Sequence, residues 1–275
     1  DVRLERVLAA IDFSPSSDAV LAWARRLVAG TGSIRVLHVI DTSVLAGGRQ
    51  TPPSLVLGLQ EQLESEARQR LESLTRAEPG GDGRLVLDVA FGSPATEIAT
   101  VCEKERIELV LVGAHASEVG EHLASGSVET GSVTAGVALG NRAPTMVVRD
   151  FPDEGGVERV IGLVDLTAPS IQILRVAERL GRRLQAGLVP LQVVESRDMI
   201  DGATRVLHAF VRGALGRAVQ VEVVAGSADK ELLARTTPRD IVVSGTRSRA
   251  AREVVLPCPV VLVRPVEEGA SRRAA

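Results

Sequence analysis

The sequence contains an internal repeat: a predicted strand, a turn and a helix occur twice, and the same residue types end the strand and form the turn in both copies. Residues 7–17 read VLAAIDFSPSS, and residues 160–170 read VIGLVDLTAPS. In both copies an aliphatic run, typical of a strand buried on both faces, ends in an aspartate, Asp12 or Asp165, before a turn rich in Ser, Thr and Pro. A repeat of this length predicts two similarly folded units.

The later segments repeat in the same order. The matched pairs are VLHVID at 36–41 with PLQVVE at 190–195, LVLDVAFGS at 85–93 with VQVEVVAGS at 219–227, ELVLVG at 108–113 with DIVVSG at 240–245, and APTMVVR at 143–149 with CPVVLVR at 258–264. Between the strands we predict helices, one over residues 55–74 and one with Ser93 as N-cap and Pro94 at its first position. Hydrophobic strands of this kind need helices on both faces, which predicts two flavodoxin-like, doubly wound parallel-sheet α/β domains in tandem.

The offsets between the copies show that the second domain is shortened. The first aspartates are 165 − 12 = 153 positions apart, the fourth strands 240 − 108 = 132, and the last strands 258 − 143 = 115. The second copy therefore lacks 21 residues in its middle and a further 17 between its fourth and fifth strands, enough to remove a loop and a helix. We predict domains over residues 1–150 and 157–266, joined by the linker DFPDEGGV, and a fraying tail over 267–275.

Composition and charge exclude several classes of function. With 32 Lys and Arg against 35 Asp and Glu and only 2% aromatic residues, the chain lacks the positive field and the stacking platforms that nucleic-acid binding needs. Cys102 and Cys258 are far apart and form no zinc or disulfide pattern, which favours a reducing cytoplasm. No uninterrupted apolar run approaches the ~20 residues that span a bilayer, so we expect no membrane insertion.

Two strand ends in the first domain predict a ligand site. Asp12 and Gly113 end the neighbouring strands one and four, and open parallel sheets bind ligands beyond the carboxyl ends of strands where the strand order reverses. The glycine-rich stretch over 113–133 precedes a helix, so its backbone N–H groups can approach a phosphate. Glycines also form turns, and the loop by itself leaves both uses open.

Taken together, these segments resemble the universal stress protein family in a tandem two-domain form. The resemblance covers nearly the whole chain and rests on the strand ending at Asp12, GSPATEI, LVLVG, GSV and APTMVV. In the nucleotide-binding branch of that family the loop reads Gly, two residues, Gly, nine residues, Gly and Ser or Thr. Gly113, Ala116, Gly126 and Ser127 have this spacing, with Ala116 in place of the second glycine, where its methyl group would crowd a phosphate.

The Gly-Ser pair of the loop occurs twice. Gly126, Ser127 and Val128 have the loop length that the family pattern implies, whereas Gly131 and Ser132 have the length of the helix that follows. Both pairs are candidates for the phosphate loop, and we favour the earlier one.

The resemblance implies that the first domain binds ATP or a related adenine nucleotide. Asp12 would approach the adenine or ribose, and the main chain of Val39 and Ile40 would meet the adenine edge. The alternative role of Asp12 is an Asx turn, and that of Val39 and Ile40 is plain core strand. Asp12 with Asp41 could hold Mg²⁺ near a triphosphate, although turn residues are the favoured interpretation and no other metal site is indicated.

The second domain keeps Asp165 but has no comparable loop. Only 258 − 245 = 13 positions separate Gly245 from the last strand, too few for both a loop and a covering helix, so we expect this site to be empty or vestigial. Arg247, Arg249 and Arg252 could form a residual anion patch, but a solvated face is favoured.

The sequence therefore predicts a cytoplasmic stress-response protein that acts as a nucleotide-dependent signalling or protective module. The resemblance implies that the domains pair through Thr145–Arg149 and Pro259–Arg264 as a pseudo-dimer, and such chains could pair again as a homodimer. The alternative is a nucleotide-free scaffold or interaction module. No general base can be named, so any ATP hydrolysis should be slow, and an enzyme that activates a substrate with ATP would need a catalytic residue that the sequence does not offer.

Overall fold

Packing divides the described residues into two compact units, one within residues 4–150 and one within residues 156–264. The computed structural model describes residues 4–28, 30–42, 53–76, 84–114, 132–148, 150, 156–248 and 256–264. Within these ranges, no helix has both the length and the apolar character that crossing a membrane demands.

The first unit consists of β1 (Arg6–Ala10), α1 (Ser17–Leu27), β2 (Ser33–Asp41), α2 (Pro53–Arg76), β3 (Arg84–Gly92), α3 (Pro94–Glu105), β4 (Leu109–Gly113), α4 (Ser132–Gly140) and β5 (Thr145–Val148). The strands are parallel and lie in the order β3-β2-β1-β4-β5. The chain moves outward from β1 to β3 and then crosses to the other side of β1. Because such crossovers are right-handed, α1 and α2 cover one face of the sheet, and α3 and α4 cover the other.

The second unit consists of β6 (Arg159–Leu163), α5 (Ala168–Leu184), β7 (Gly187–Val194), a 3₁₀ turn (Arg197–Met199), α6 (Ile200–Leu215), β8 (Glu222–Ala225), α7 (Ala228–Arg235), β9 (Asp240–Gly245) and β10 (Val260–Val263). Its parallel strands lie in the order β10-β9-β6-β7-β8, the same topology as in the first unit. The predicted fold, two doubly wound parallel sheets in tandem, is confirmed.

The connection between the last two strands differs between the units as the offsets predict. The first unit has 145 − 113 = 32 positions from the end of β4 to the start of β5 and places α4 there, whereas the second has 260 − 245 = 15 from β9 to β10. In the second unit, residues 249–255 of this shorter connection lie outside the described residues.

The core of the first unit lies around its two central strands. Val7, Leu8 and Ala9 of β1 are fully buried, as are Val110 and Leu111 of β4. Burial of each such Val or Leu side chain contributes roughly 1.5–3 kcal/mol, which explains why the central residues of both strands are aliphatic on both faces.

The repeat extends to backbone detail at the start of α3 and of α7. Gly92 and Gly226 both have φ of +149°, a conformation that side chains rarely permit. Ser93 is the N-cap of α3, as predicted, but its side chain makes no capping hydrogen bond. Ser93 is exposed, so its hydroxyl can form hydrogen bonds with water. Its carbonyl oxygen accepts the first hydrogen bond of the helix from the Glu97 amide at 3.0 Å.

Candidate functional site

The strand order of the first unit reverses between β1 and β4, and a cavity of about 110 Å³ lies there. Side chains from three strand ends and two helices form its walls: Ala10, Ile11, Asp12, Leu37, Val39, Val112, Gly113, Pro94, Ile98 and Thr134. The walls are mostly apolar, and the carboxylate of Asp12 and the hydroxyl of Thr134 are the polar side-chain groups among them. Apolar walls with a few polar groups are typical of small-molecule sites, although the volume is below the roughly 300–1,000 Å³ usual for such sites, so a nucleotide would extend out of this cavity.

The structure brings three of the predicted site residues together in this cavity: Asp12, Val39 and Gly113. Leu37 and Val39 alternate with His38 along β2, so His38 points to the opposite face of the sheet. Ile40, the next residue of β2, pairs with Phe91 of β3.

Asp12 forms the Asx turn that the sequence allows as its alternative role. Its Oδ1 accepts a hydrogen bond from the Ser14 amide at 2.9 Å and from the Ser17 hydroxyl at 3.2 Å. The turn fixes the carboxylate at the end of β1 while leaving Asp12 exposed. An Asx turn and a ligand contact are therefore compatible uses of the same side chain.

Gly113 is closely approached by the turn before α1, whether or not a ligand binds. A Cβ atom at this position would lie 2.2 Å from the Ser16 Oγ and 3.2 Å from its Cβ. The Ser16 hydroxyl is in turn 2.9 Å from that of Ser14. The glycine thus lets the turn before α1 approach the end of β4, a role that the sequence pattern did not reveal.

Most of the predicted phosphate loop lies outside the described residues. This applies to Ala116, Gly126, Ser127, Val128 and Gly131. Ser132 is the first residue of α4, and Thr134, in the first turn of that helix, has its Oγ1 3.4 Å from the Gly113 carbonyl oxygen. The choice between the two Gly-Ser pairs stays open.

Phe13 is a feature of the site that sequence reasoning missed. Its φ of +61° is left-handed, which is uncommon for a residue with an aromatic side chain. Its ring centroid lies 4.4 Å from that of His38, and the Arg70 guanidinium of α2 lies 4.1 Å above the ring. The sequence offers one hint of this contact: the chain has only four phenylalanines, and one of them, Phe13, directly follows the candidate ligand Asp12.

His38 is held beneath Phe13 by a hydrogen bond. Its Nδ1 donates to the Ile11 carbonyl oxygen over 2.7 Å. Burial lowers the pKa of His38, and the nearby Arg70 acts in the same direction, while the hydrogen bond to Ile11 and the charge of Asp12 oppose them. The neutral imidazole is accordingly favoured, and with Nδ1 protonated it suits stacking in a half-buried position.

The second unit repeats the turn of the first. Oδ1 of Asp165 accepts hydrogen bonds from the Thr167 amide at 3.1 Å and the Ser170 hydroxyl at 2.7 Å. Burial raises the pKa of Asp165, but the hydrogen bonds from Thr167 and Ser170 outweigh it and hold the pKa below its ordinary value. Leu166 has φ of +64°, matching Phe13 without offering an aromatic ring.

The surroundings of that turn differ from those in the first unit. Cδ1 of Ile173 lies 3.7 Å from the place of a Cβ on Gly245, where the first unit has a serine hydroxyl close to Gly113. Arg247 is exposed, as the solvated interpretation expects, and Arg249 and Arg252 lie outside the described residues.

Neither metal-binding nor cysteine chemistry is indicated. Among the described residues, no group of three or more His, Cys, Asp or Glu side chains could hold a metal ion. Burial raises the pKa of both Cys102 and Cys258 to about 12, so their thiols stay protonated and unreactive near neutral pH.

Comparisons with known proteins agree with the geometry. A profile of the universal stress protein family matches residues 3–149, just over half of the chain. The chain is 31% identical over 112 residues to universal stress protein A homolog 1 of Coxiella burnetii, an alignment that covers 40% of this chain and 76% of that protein.

Solved structures extend the likeness of fold to both units. A universal stress protein from Archaeoglobus fulgidus matches with a TM-score of 0.66 at 20% identity, covering 97% of this chain and 98% of that one. The cytoplasmic domain of a prokaryotic cation chloride cotransporter matches with a TM-score of 0.53 at 10% identity, covering 94% and 95%. At these identities the two structures show the fold alone, and the match of the family profile carries the assignment: this chain belongs to the universal stress protein family.

Proposed function

We propose that the first unit binds ATP or a related adenine nucleotide and that the protein acts as a nucleotide-dependent signalling or protective module in the cytoplasm. The observation that carries this proposal is the cavity at the strand reversal, because it joins apolar walls to a carboxylate at the end of β1. The proposal includes the expectation that the second unit binds no nucleotide.

Groups in and around this cavity can match each part of a nucleotide. The apolar side chains of Leu37, Val39 and Ile98 suit the faces of an adenine ring. The Asp12 carboxylate can accept hydrogen bonds from ribose hydroxyls. The first turn of α4 presents backbone N–H groups and the positive end of the helix to phosphates.

The proposed role is binding rather than turnover. ATP hydrolysis needs a group that orients the attacking water, and the described cavity walls hold no histidine, lysine or arginine. We therefore expect hydrolysis to be slow at most. Whether Mg²⁺ accompanies the nucleotide is tested by repeating the titration with and without EDTA.

The proposal is tested by filling the cavity. Val39→Phe places a larger side chain in it, and Val193→Phe is the matched control at the equivalent position of β7. Calorimetric titration with ATP should give a dissociation constant for wild type and for Val193→Phe, and a loss of at least about tenfold for Val39→Phe. The proposal fails if wild type binds no nucleotide at millimolar ATP, or if both variants bind as wild type does.

A nucleotide-free scaffold or interaction module is the second candidate, and one contact favours it. The approach of Ser16 to Gly113 explains the glycine at the strand end without any ligand. Mass spectrometry of small molecules released from gently purified protein separates the two candidates, because a scaffold should release no nucleotide.

A further inference from the structure

Three side chains from distant parts of the sequence stack on the face of the first unit opposite the cavity. The ring centroids of Phe13 and His38 of β2 lie 4.4 Å apart, and the Arg70 guanidinium carbon of α2 lies 4.1 Å from the Phe13 centroid. Phe13 and Arg70 also line an open cleft of about 590 Å³ between the first turn of α1 and α2. The guanidinium thus connects α2 directly to the turn that follows β1.

The stacked residue immediately follows the candidate nucleotide ligand. Phe13 occupies the centre of the turn whose first residue is Asp12 and whose third is Ser14. Its left-handed backbone is strained for a residue with a Cβ, so the turn needs neighbours that hold it in place. The contacts with the Arg70 guanidinium and with the tilted His38 ring provide this restraint, because an aromatic face attracts a cation and aromatic rings attract one another.

We propose that Arg70 is a positioning residue for the nucleotide site: by stacking on Phe13 it fixes the turn that presents Asp12 to the nucleoside. This inference rests on the proposed function of the cavity. Arg70 itself reaches the turn from the face opposite the cavity, and its effect on affinity passes through the placement of the carboxylate.

The second unit has neither aromatic residue of the stack at the positions that correspond to Phe13 and His38. Leu166 has the same left-handed backbone as Phe13 but an aliphatic side chain, and Gln192 occupies the position of His38. An aliphatic side chain gives a guanidinium no π-face to stack on. The stack of Phe13, His38 and Arg70 is therefore found in the unit for which we propose a ligand and not at the corresponding turn of the second unit.

The test is a double-mutant cycle on nucleotide affinity. Dissociation constants for ATP and for adenosine are measured by calorimetry at 25 °C for wild type, Arg70→Ala, Asp12→Asn and the double variant. Asp12→Asn keeps an oxygen that can form the Asx turn but removes the charge. Arg68→Ala is the matched control, since Arg68 is an exposed arginine two positions away on α2, on a different side of the helix, and pairs with Glu64.

We expect Arg70→Ala to weaken the binding of ATP and of adenosine equally, by about two- to fivefold, the range that a cation–π contact at an exposed site supports. In the Asp12→Asn background the same change should have little further effect, because coupled residues are not additive. Arg70→Lys, which keeps the cation, should recover part of the affinity, and Arg68→Ala should bind as wild type does.

Several results would overturn the inference. Equal losses in both backgrounds would mean that Arg70 does not act through Asp12, and a loss for ATP but not for adenosine would mean that its charge acts on the phosphates. If wild type binds ATP and Arg70→Ala binds it with the same affinity, this inference is wrong, but the proposed function of the cavity is unaffected. Absence of wild-type binding defeats both.

Discussion

The turns after β1 and after β6 have the same local geometry but different neighbours. In each, an aspartate accepts hydrogen bonds from the amide two residues on and from a serine five residues on, and a left-handed residue follows the aspartate. The first turn is packed against Gly113 and stacked with Arg70, whereas the region of the second near Gly245 is occupied by Ile173. The aspartate turn therefore belongs to the fold, and what surrounds it distinguishes a candidate site from a structural copy.

The largest expected effect on stability follows from the contrast between the two strand-end glycines. Gly113→Ala places a Cβ 2.2 Å from the Ser16 Oγ and 3.2 Å from the Ser16 Cβ, so the Ser16 hydroxyl must rotate away from Ser14 or the turn must shift, at a loss of about 1–3 kcal/mol of unfolding free energy. Urea unfolding followed by the fluorescence of Trp23, the only tryptophan, reports on this unit.

Gly245→Ala is the matched control, because its Cβ would meet Ile173 at an ordinary 3.7 Å. Hydrogen exchange in β9 should show little change for this variant. If Gly113→Ala is as well tolerated as Gly245→Ala, the close approach of Ser16 does not distinguish the two units.

A smaller effect is expected from exchanging the left-handed residues. Phe13→Leu gives the first turn the side chain of the second and removes both stacking contacts, which should lower stability by about 0.5–1.5 kcal/mol. Leu166→Phe adds a ring opposite Gln192 and should change stability by less than about 0.5 kcal/mol. Equal destabilisation by the two changes, measured by hydrogen exchange at each turn, would contradict a specific role for the stack.

The smallest effect is the pH dependence of the second turn. The folded-state pKa of Asp165 lies below its ordinary value, so its contribution is fully present above that value and is lost as the pH falls through the folded-state pKa. Asp165→Asn should therefore lower the stability of the second unit near pH 7, and the difference from wild type should shrink as the pH falls below the ordinary aspartate pKa of 3.8. A difference from wild type that does not shrink below this pH would show that the carboxylate charge is not responsible.

The sequence predicts the fold well because the repeat and the hydrophobic strands are local signals. The prediction for β9, residues 240–245, matches its observed bounds, and the helix predicted over 55–74 is α2, Pro53–Arg76. β1 ends at Ala10, two residues before the predicted Asp12, because the chain turns there to form the hydrogen bonds of the Asx turn.

The site was less accessible to sequence reasoning because its parts depend on tertiary contacts. The stack joins Phe13, His38 and Arg70, which are up to 57 positions apart and match no motif. Gly113 was assigned to a phosphate loop, yet its close neighbour is a serine that lies near it only after β1 and β4 have paired. Sequence patterns identify strand ends, but contacts between elements decide what surrounds them.

The most direct test of the account is the number of nucleotides bound per chain in wild type and in the matched variants Asp12→Asn and Asp165→Asn. Calorimetry with ATP should give about one site per chain in wild type, the same site in Asp165→Asn, and an affinity at least about tenfold weaker in Asp12→Asn, which loses a charged acceptor. Two sites per chain, equal effects of the two variants, or no binding at all would contradict the claim that only the first unit holds a nucleotide.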